Sequence, residues 1–147
     1  MKYLVIGLGN LGRAIAESLT HIGNEVIGVD INPHKIEAVK HTISGAIGLD
    51  TTDKDALNTL PLCEMDAIFV TFGKDFGTSI QTVALLKNLD VNKLIVRGIS
   101  PIHEAVIRSI GVAEIITPED DFAGMYASQS LLGELFKQWY RVTDTHH

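Results

Sequence analysis

Three glycines, Gly7, Gly9 and Gly12, stand where a run of Val, Ile and Leu gives way to a helix-patterned stretch, and few chain paths satisfy that combination. Residues 2–8 read as a buried strand and residues 11–22 as the helix that follows it. In such a turn the first glycine permits a tight reversal, the second lets phosphate oxygens reach the backbone, and the third lets helix and strand approach closely. The start of the helix adds unsatisfied N–H groups and the positive end of its dipole. A glycine-rich turn alone is weak support for a ligand. Here a second strand, residues 25–30, ends in Asp30, a carboxylate suited to accept ribose hydroxyls and to repel a 2′-phosphate.

The rest of the chain repeats the same unit. Further apolar runs at 46–49, 67–71, 93–97 and 114–116 are nearly continuous in Val, Ile and Leu, the pattern of parallel strands covered on both faces. Helix-like stretches at 33–40, 53–60, 78–88 and 102–110 separate them. Asn32-Pro33, Ser100-Pro101 and Thr117-Pro118 each place an N-cap residue before a proline suited to the first helical position, while Gly23 and Gly111 follow helical runs as C-terminal caps. The expectation is an α/β chain with a three-layer Rossmann fold: a doubly wound, six-stranded parallel sheet over residues 1–117, then a C-terminal segment, 118–147, carrying a long helix at 120–140. Phe122, Met125, Leu132, Leu135, Phe136 and Trp139 recur at roughly helical spacing, and the later ones suit contact with another chain.

Composition narrows the function. The chain has 147 residues and a formal net charge of −6 with no basic run, which argues against a nucleic-acid partner. Its single cysteine, Cys63, excludes an intrachain disulfide, fits a reducing compartment and reads as a small buried apolar residue. No stretch approaches the roughly 18 apolar residues of a membrane span, so a membrane role would act through a partner. His21, His34, His41 and His103 lack metal-ligand spacing and read as mostly surface histidines, and no Ser–His or Cys–His constellation is evident.

The candidate nucleotide-binding set comprises Gly7, Gly9, Asn10, Leu11 and Gly12; Asp30, Ile31 and Asn32; Asp50, Thr51 and Thr52; Thr71 and Gly73; and Arg97. Asp50, Thr51 and Thr52 follow the third strand, where they can meet an adenine edge, while Thr52 or Asp53 can equally cap the next helix. Gly73 follows the fourth strand, beside the crevice expected where the strand order reverses. Arg97 ends the fifth strand, either reaching an anion over the same sheet edge or simply solvated there.

The whole chain resembles the nucleotide-binding half of RCK domains, also called KTN or TrkA-N domains, which regulate potassium channels and Trk/Ktr transporters. The resemblance rests on Val5-Ile6-Gly7-Leu8-Gly9 with Gly12, on Asp30 and Asn32, on Leu49-Asp50-Thr51-Thr52-Asp53, and on Ile110-Gly111-Val112-Ala113-Glu114-Ile115-Ile116-Thr117-Pro118-Glu119. It implies NAD(H), ATP or ADP at the glycine turn, homodimers through the final helix, larger rings, and a membrane channel or transporter as partner. It also implies a cytoplasmic location at the inner face of the membrane, without direct insertion. Many transporter-regulating members carry arginine directly after the second glycine; Asn10 stands there in this chain, which makes a dinucleotide or diphosphate relatively better suited than a triphosphate. The resemblance suggests that Glu119 holds a nucleotide-bound cation such as Mg²⁺, although an acidic first turn formed by Glu119, Asp120 and Asp121 complements a helix dipole equally simply. The family's C-terminal ligand-binding subdomain has no counterpart in these residues.

No catalytic residue is assigned. A regulatory binding module is the expected function. The alternatives are an NAD-dependent oxidoreductase, which needs a substrate pocket and a positioned acid or base, and a dinucleotide-binding subunit of another system.

Overall fold

A computed structural model of the chain describes residues 1–118, of which Met1–Ile115 form one compact unit. Its elements are β1 (Lys2–Ile6), α1 (Asn10–His21), β2 (Glu25–Asp30), α2 (Pro33–Val39), β3 (Gly45–Gly48), α3 (Lys54–Leu57), β4 (Ala67–Val70), α4 (Phe76–Asn88), β5 (Leu94–Arg97), α5 (Pro101–Ile110) and β6 (Glu114–Ile116). The segment expected to form the long helix, residues 120–140, lies outside the described residues, as does Glu119.

The six strands form one sheet in the order β3-β2-β1-β4-β5-β6. The recorded pairings β1–β2, β1–β4, β2–β3 and β4–β5 are all parallel. Their register aligns Ile6 with Val29 and Val70, and Val70 with Val96, and these four belong to one buried cluster with Leu57, Val83, Leu86 and Ile107. Alternation along each strand sends Tyr3 and Phe69 to the opposite face, where their rings meet edge-on at 6.0 Å. Both sheet faces are therefore apolar, as the nearly continuous Val, Ile and Leu runs require.

The helix caps follow the sequence closely. Asn32 Oδ1 accepts the His34 N–H at the start of α2, Ser100 Oγ accepts the His103 N–H at the start of α5, and Gly111 closes α5 in the left-handed region at φ 109°. Several boundaries differ from expectation, each for a local reason. β1 stops at Ile6 because Gly7 turns to φ 91°. α4 starts at Phe76, not Thr78, because Asp75 caps it by accepting the Thr78 N–H. α3 ends at Leu57 instead of reaching Leu60, with Asn58 as its C-cap and the Thr59 N–H turning back to Ala56 O.

Candidate functional site

The order 3-2-1-4-5-6 places β1 beside β4 at the point where the sheet's winding reverses, and the chain leaves both strands at the same edge. Gly7 makes the turn out of β1. Its N–H donates to Val29 O at 2.8 Å, and a Cβ placed on it would lie 3.2 Å from the Phe72 N and Thr71 C atoms beyond β4. Gly12, in the first turn of α1, packs onto this loop so closely that a Cβ would strike the Gly7 carbonyl oxygen and lie 2.5 Å from Thr71 Oγ1. Thr71 is buried, and its hydroxyl reaches Gly7 O at 2.6 Å with Ile6 O at 3.1 Å. The expected tight turn and close helix–strand packing are thus both realised, with Thr71 fastening the turn from the neighbouring strand.

Gly9 differs from its two partners. No heavy atom lies within 4 Å of the place its Cβ would occupy. As N-cap of α1 it supplies no side-chain bond, so the first helical amides, beginning at Asn10 and Leu11, keep the donors that every helix start presents. This open approach to a row of N–H groups and a positive dipole end is the form of an anion site. Arg13, one turn along, is drawn to Glu17 at 3.3 Å.

Asp30 flanks the same loop. It is 7% exposed, and each carboxylate oxygen holds a backbone amide: Oδ2 accepts Leu8 N–H at 2.7 Å and Oδ1 accepts Asn32 N–H at 2.9 Å. A carboxylate offers about four lone-pair positions, so two remain for a further donor. Ile31, beside it, is 69% exposed. Asp30 pairs in register with Gly48, which brings the 50–52 segment next to this end of β2. There Asp50 Oδ1 accepts both the hydroxyl and the N–H of Thr52, and these bonds hold its carboxyl below the ordinary aspartate pKa. Asp53, not Thr52, caps α3. The Thr51 hydroxyl turns inward to Thr82 Oγ1 at 2.9 Å, leaving only its backbone for an outside ligand.

On the far side of the crevice, Gly73 and Arg97 meet. A Cβ on Gly73 would lie 2.9 Å from Arg97 Nη1, so the glycine makes room for the guanidinium at the ends of β4 and β5. The structure thus brings Gly7, Asp30 and Thr71 together through hydrogen bonds, with Gly12 packed against them, around the open Gly9 position, and seats Arg97 against Gly73.

Three sequence expectations need correction. His103 is fully buried, unlike the exposed His21, His34 and His41. It forms a Ser–His pair that the sequence did not reveal, Nε2 lying 2.8 Å from Ser79 Oγ across 24 residues. Cys63 is exposed, because a short 3₁₀ turn over Leu62–Glu64 buries Leu62 in its place. Among the described residues, no group of three His, Cys, Asp or Glu residues is arranged to hold a metal ion.

A parallel sheet in this order, with a glycine turn at its reversal point and an acid ending β2, defines a Rossmann-type domain. The chain belongs to the TrkA-N domain family, which it matches over residues 3–118. It is 35% identical to Ktr system potassium uptake protein C of Bacillus subtilis over 83% of this chain and 55% of that protein. It is 32% identical to Ktr system potassium uptake protein A of the same organism over 97% of this chain and 64% of that one. The chain therefore spans somewhat over half the length of these relatives. Among solved structures, the NAD(P)-binding domain of an exopolyphosphatase-related protein from Archaeoglobus fulgidus has a TM-score of 0.77 at 24% identity, covering 86% of this chain and 95% of that one. The GsuK channel bound to NAD has a TM-score of 0.69 at 15% identity, covering 78% of this chain and 21% of that one, and GsuK has also been solved with ADP. At these identities the structures establish the fold.

Proposed function

We propose that this chain is the nucleotide-sensing module of a potassium-transport system. The observation that carries this reading is the open Gly9 position at the start of α1, flanked by the buried Asp30 carboxylate, in a chain of the TrkA-N family. The pyrophosphate of NAD(H), or the phosphates of ADP or ATP, lie on the amides of Gly9, Asn10, Leu11 and Gly12. Asp30 accepts the adenosine ribose, with Asn32 shaping the turn beside it. The exposed Ile31 and the 50–52 segment bracket the adenine. Thr71, Gly73 and Arg97 close the phosphate side. Two of the four lone-pair positions of Asp30 are taken by backbone amides and two remain for ribose hydroxyls, while its charge repels a 2′-phosphate, so NAD(H) is favoured over NADP(H).

The module works as a homodimer, assembled through residues 118–147 and extended into rings, beneath a membrane channel or transporter in the cytoplasm. Among the described residues no helix is long and apolar enough to cross a membrane. A nucleotide drives such an assembly only if it binds two arrangements unequally. We read the chain as a binder and not an enzyme. The one Ser–His pair among the described residues is sealed from solvent, and its histidine holds its proton on the nitrogen facing serine, the wrong tautomer for a base. Glu119 is proposed as the residue that holds a nucleotide-bound Mg²⁺.

Disrupting the gene in its host tests the role. Potassium uptake at limiting external potassium should fall, and should return with the wild-type gene but not with Gly9→Ala. Uptake unchanged by the disruption would overturn the potassium assignment.

A further inference from the structure

His103 has no solvent exposure, and both its ring nitrogens are engaged. The Ile99 N–H lies 3.1 Å from Nδ1. A backbone N–H can only donate, so Nδ1 is the acceptor and the ring proton sits on Nε2, from which it is donated to Ser79 Oγ at 2.8 Å. The ring also meets Phe76 edge-on at 5.2 Å. One imidazole therefore ties together three segments: its own helix α5, the loop after β5, and the first two turns of α4.

Those segments border the phosphate side of the crevice. Ile99 stands two residues beyond Arg97, and α4 begins three residues beyond Gly73, on which the Arg97 guanidinium rests. The Glu104 side chain covers Gly98 from α5, its Cγ 2.6 Å from the place a Cβ would occupy, so the loop is held from both sides.

We propose that His103 is a positioning residue for the nucleotide site: its neutral ring fastens the Arg97 loop to the start of α4, and uptake of a second ring proton releases Ile99, loosens the seat of Arg97 against Gly73 and weakens nucleotide binding. This inference rests on the proposed function in placing Arg97 beside the phosphates.

The chemistry gives the direction. An imidazolium turns Nδ1 into a donor facing the Ile99 N–H, so that hydrogen bond is lost and a charge is left buried away from solvent. The neighbours facing the ring are Ile99 from the loop and Ser79 and Phe76 from α4, none of which carries a charge. Glu104 on α5 is the charged group acting on it, and it favours the proton. Burial outweighs Glu104 and pulls the pKa below the ordinary histidine value of 6.5. The native state thus binds the proton less readily than the unfolded chain does. The contribution of His103 to stability is full above about pH 6.5 and falls progressively below it, until the lowered native value is reached.

The test uses the purified chain with NAD⁺, whose pyrophosphate stays ionised throughout, titrated by calorimetry between about pH 7.5 and about pH 5.5. The wild type should lose affinity progressively on acidification, by roughly five-fold where the ring is fully protonated, the low end of ordinary coupling between linked equilibria. His103→Asn keeps an acceptor for Ile99 but cannot take up the proton, and its affinity should change little over the same range; His103→Gln serves in its place if the asparagine chain does not fold. Adenosine, lacking phosphates, should bind with little pH dependence in either protein. Equal pH profiles in wild type and variant would overturn the proposal. A second readout needs no nucleotide: the Ile99 amide resonance should shift with the same midpoint as the His103 ring in the wild type and stay fixed in the variant. An Ile99 amide unmoved by titration of the ring would refute the proposed ring–loop link directly. Failure of NAD⁺ to bind at any pH would count against the proposed function and the nucleotide half of this inference, whereas the Ile99 signal judges the ring alone.

Discussion

The Asp30 carboxylate accepts the backbone N–H of Leu8 at 2.7 Å, and this bond, spanning 22 residues of sequence, fixes the glycine turn to the end of β2. The same carboxylate is proposed to hold the ribose, so one side chain both shapes the site and serves it. Asp30→Ala should accordingly weaken nucleotide binding and also destabilise the fold. Leaving the buried Leu8 N–H without an acceptor costs about 1–3 kcal/mol. Urea denaturation checks the second effect; a variant as stable as wild type would show that the Leu8 bond is incidental.

Gly12 and Gly9 separate packing from binding. Gly12→Ala drives a methyl group into the Gly7 carbonyl and against Thr71 Oγ1, and should cost about 1–3 kcal/mol or more as α1 shifts away from the loop. Gly9→Ala meets no heavy atom within 4 Å, and as a poorer N-cap alanine should cost only about 0.5–1 kcal/mol, less than Gly12→Ala. Its methyl group fills the space proposed for phosphate oxygens, so affinity should fall steeply. Thermal melts with and without NADH distinguish the two variants.

Thr71→Val removes the hydroxyl that reaches Gly7 O at 2.6 Å while keeping nearly the same shape. It should lower stability by about 1–2 kcal/mol, since a buried carbonyl loses its donor. Faster hydrogen exchange at the amides of Gly7 and Leu8 would locate the loss in the turn; unchanged exchange there would assign it elsewhere.

The cofactor preference follows from charge. NAD(H) should bind at least about ten-fold more tightly than NADP(H), because a carboxylate and a 2′-phosphate repel each other at hydrogen-bonding distance. Equal affinity for the two would remove Asp30 from the ribose.

How much of this was legible beforehand depended on whether the determining interaction was local. The strands were readable because parallel strands buried on both faces are uninterrupted Val, Ile and Leu. Gly7 and Gly12 were readable because a tight strand-to-helix turn needs particular backbone geometry within a few residues, and Asp30 because it ends the adjoining strand. Asn32 and Ser100 were readable as caps for the same reason. The pairs Thr51–Thr82, Thr71–Gly7 and Ser79–His103 were not, since each joins residues from separate βα units and no spacing encodes them. His103 illustrates the point: its helix position alone does not show that α4 covers it. Cys63 was misjudged for a related reason, as a single 3₁₀ turn decides which of two neighbouring apolar residues faces inward. Asp75, which caps α4 by accepting the Thr78 N–H, lies outside the stretch 78–88 that the apolar pattern marks as helical.

The central claim is that the glycine turn of this chain holds a nucleotide, and direct titration of the purified protein with NADH, NAD⁺, ADP and ATP tests it most simply. The account predicts saturable binding at one site per chain by at least one of these, lost in Gly9→Ala although that variant still folds cooperatively and melts only slightly below wild type. No binding of any of the four by a well-folded wild-type chain, or undiminished binding by Gly9→Ala, would contradict it.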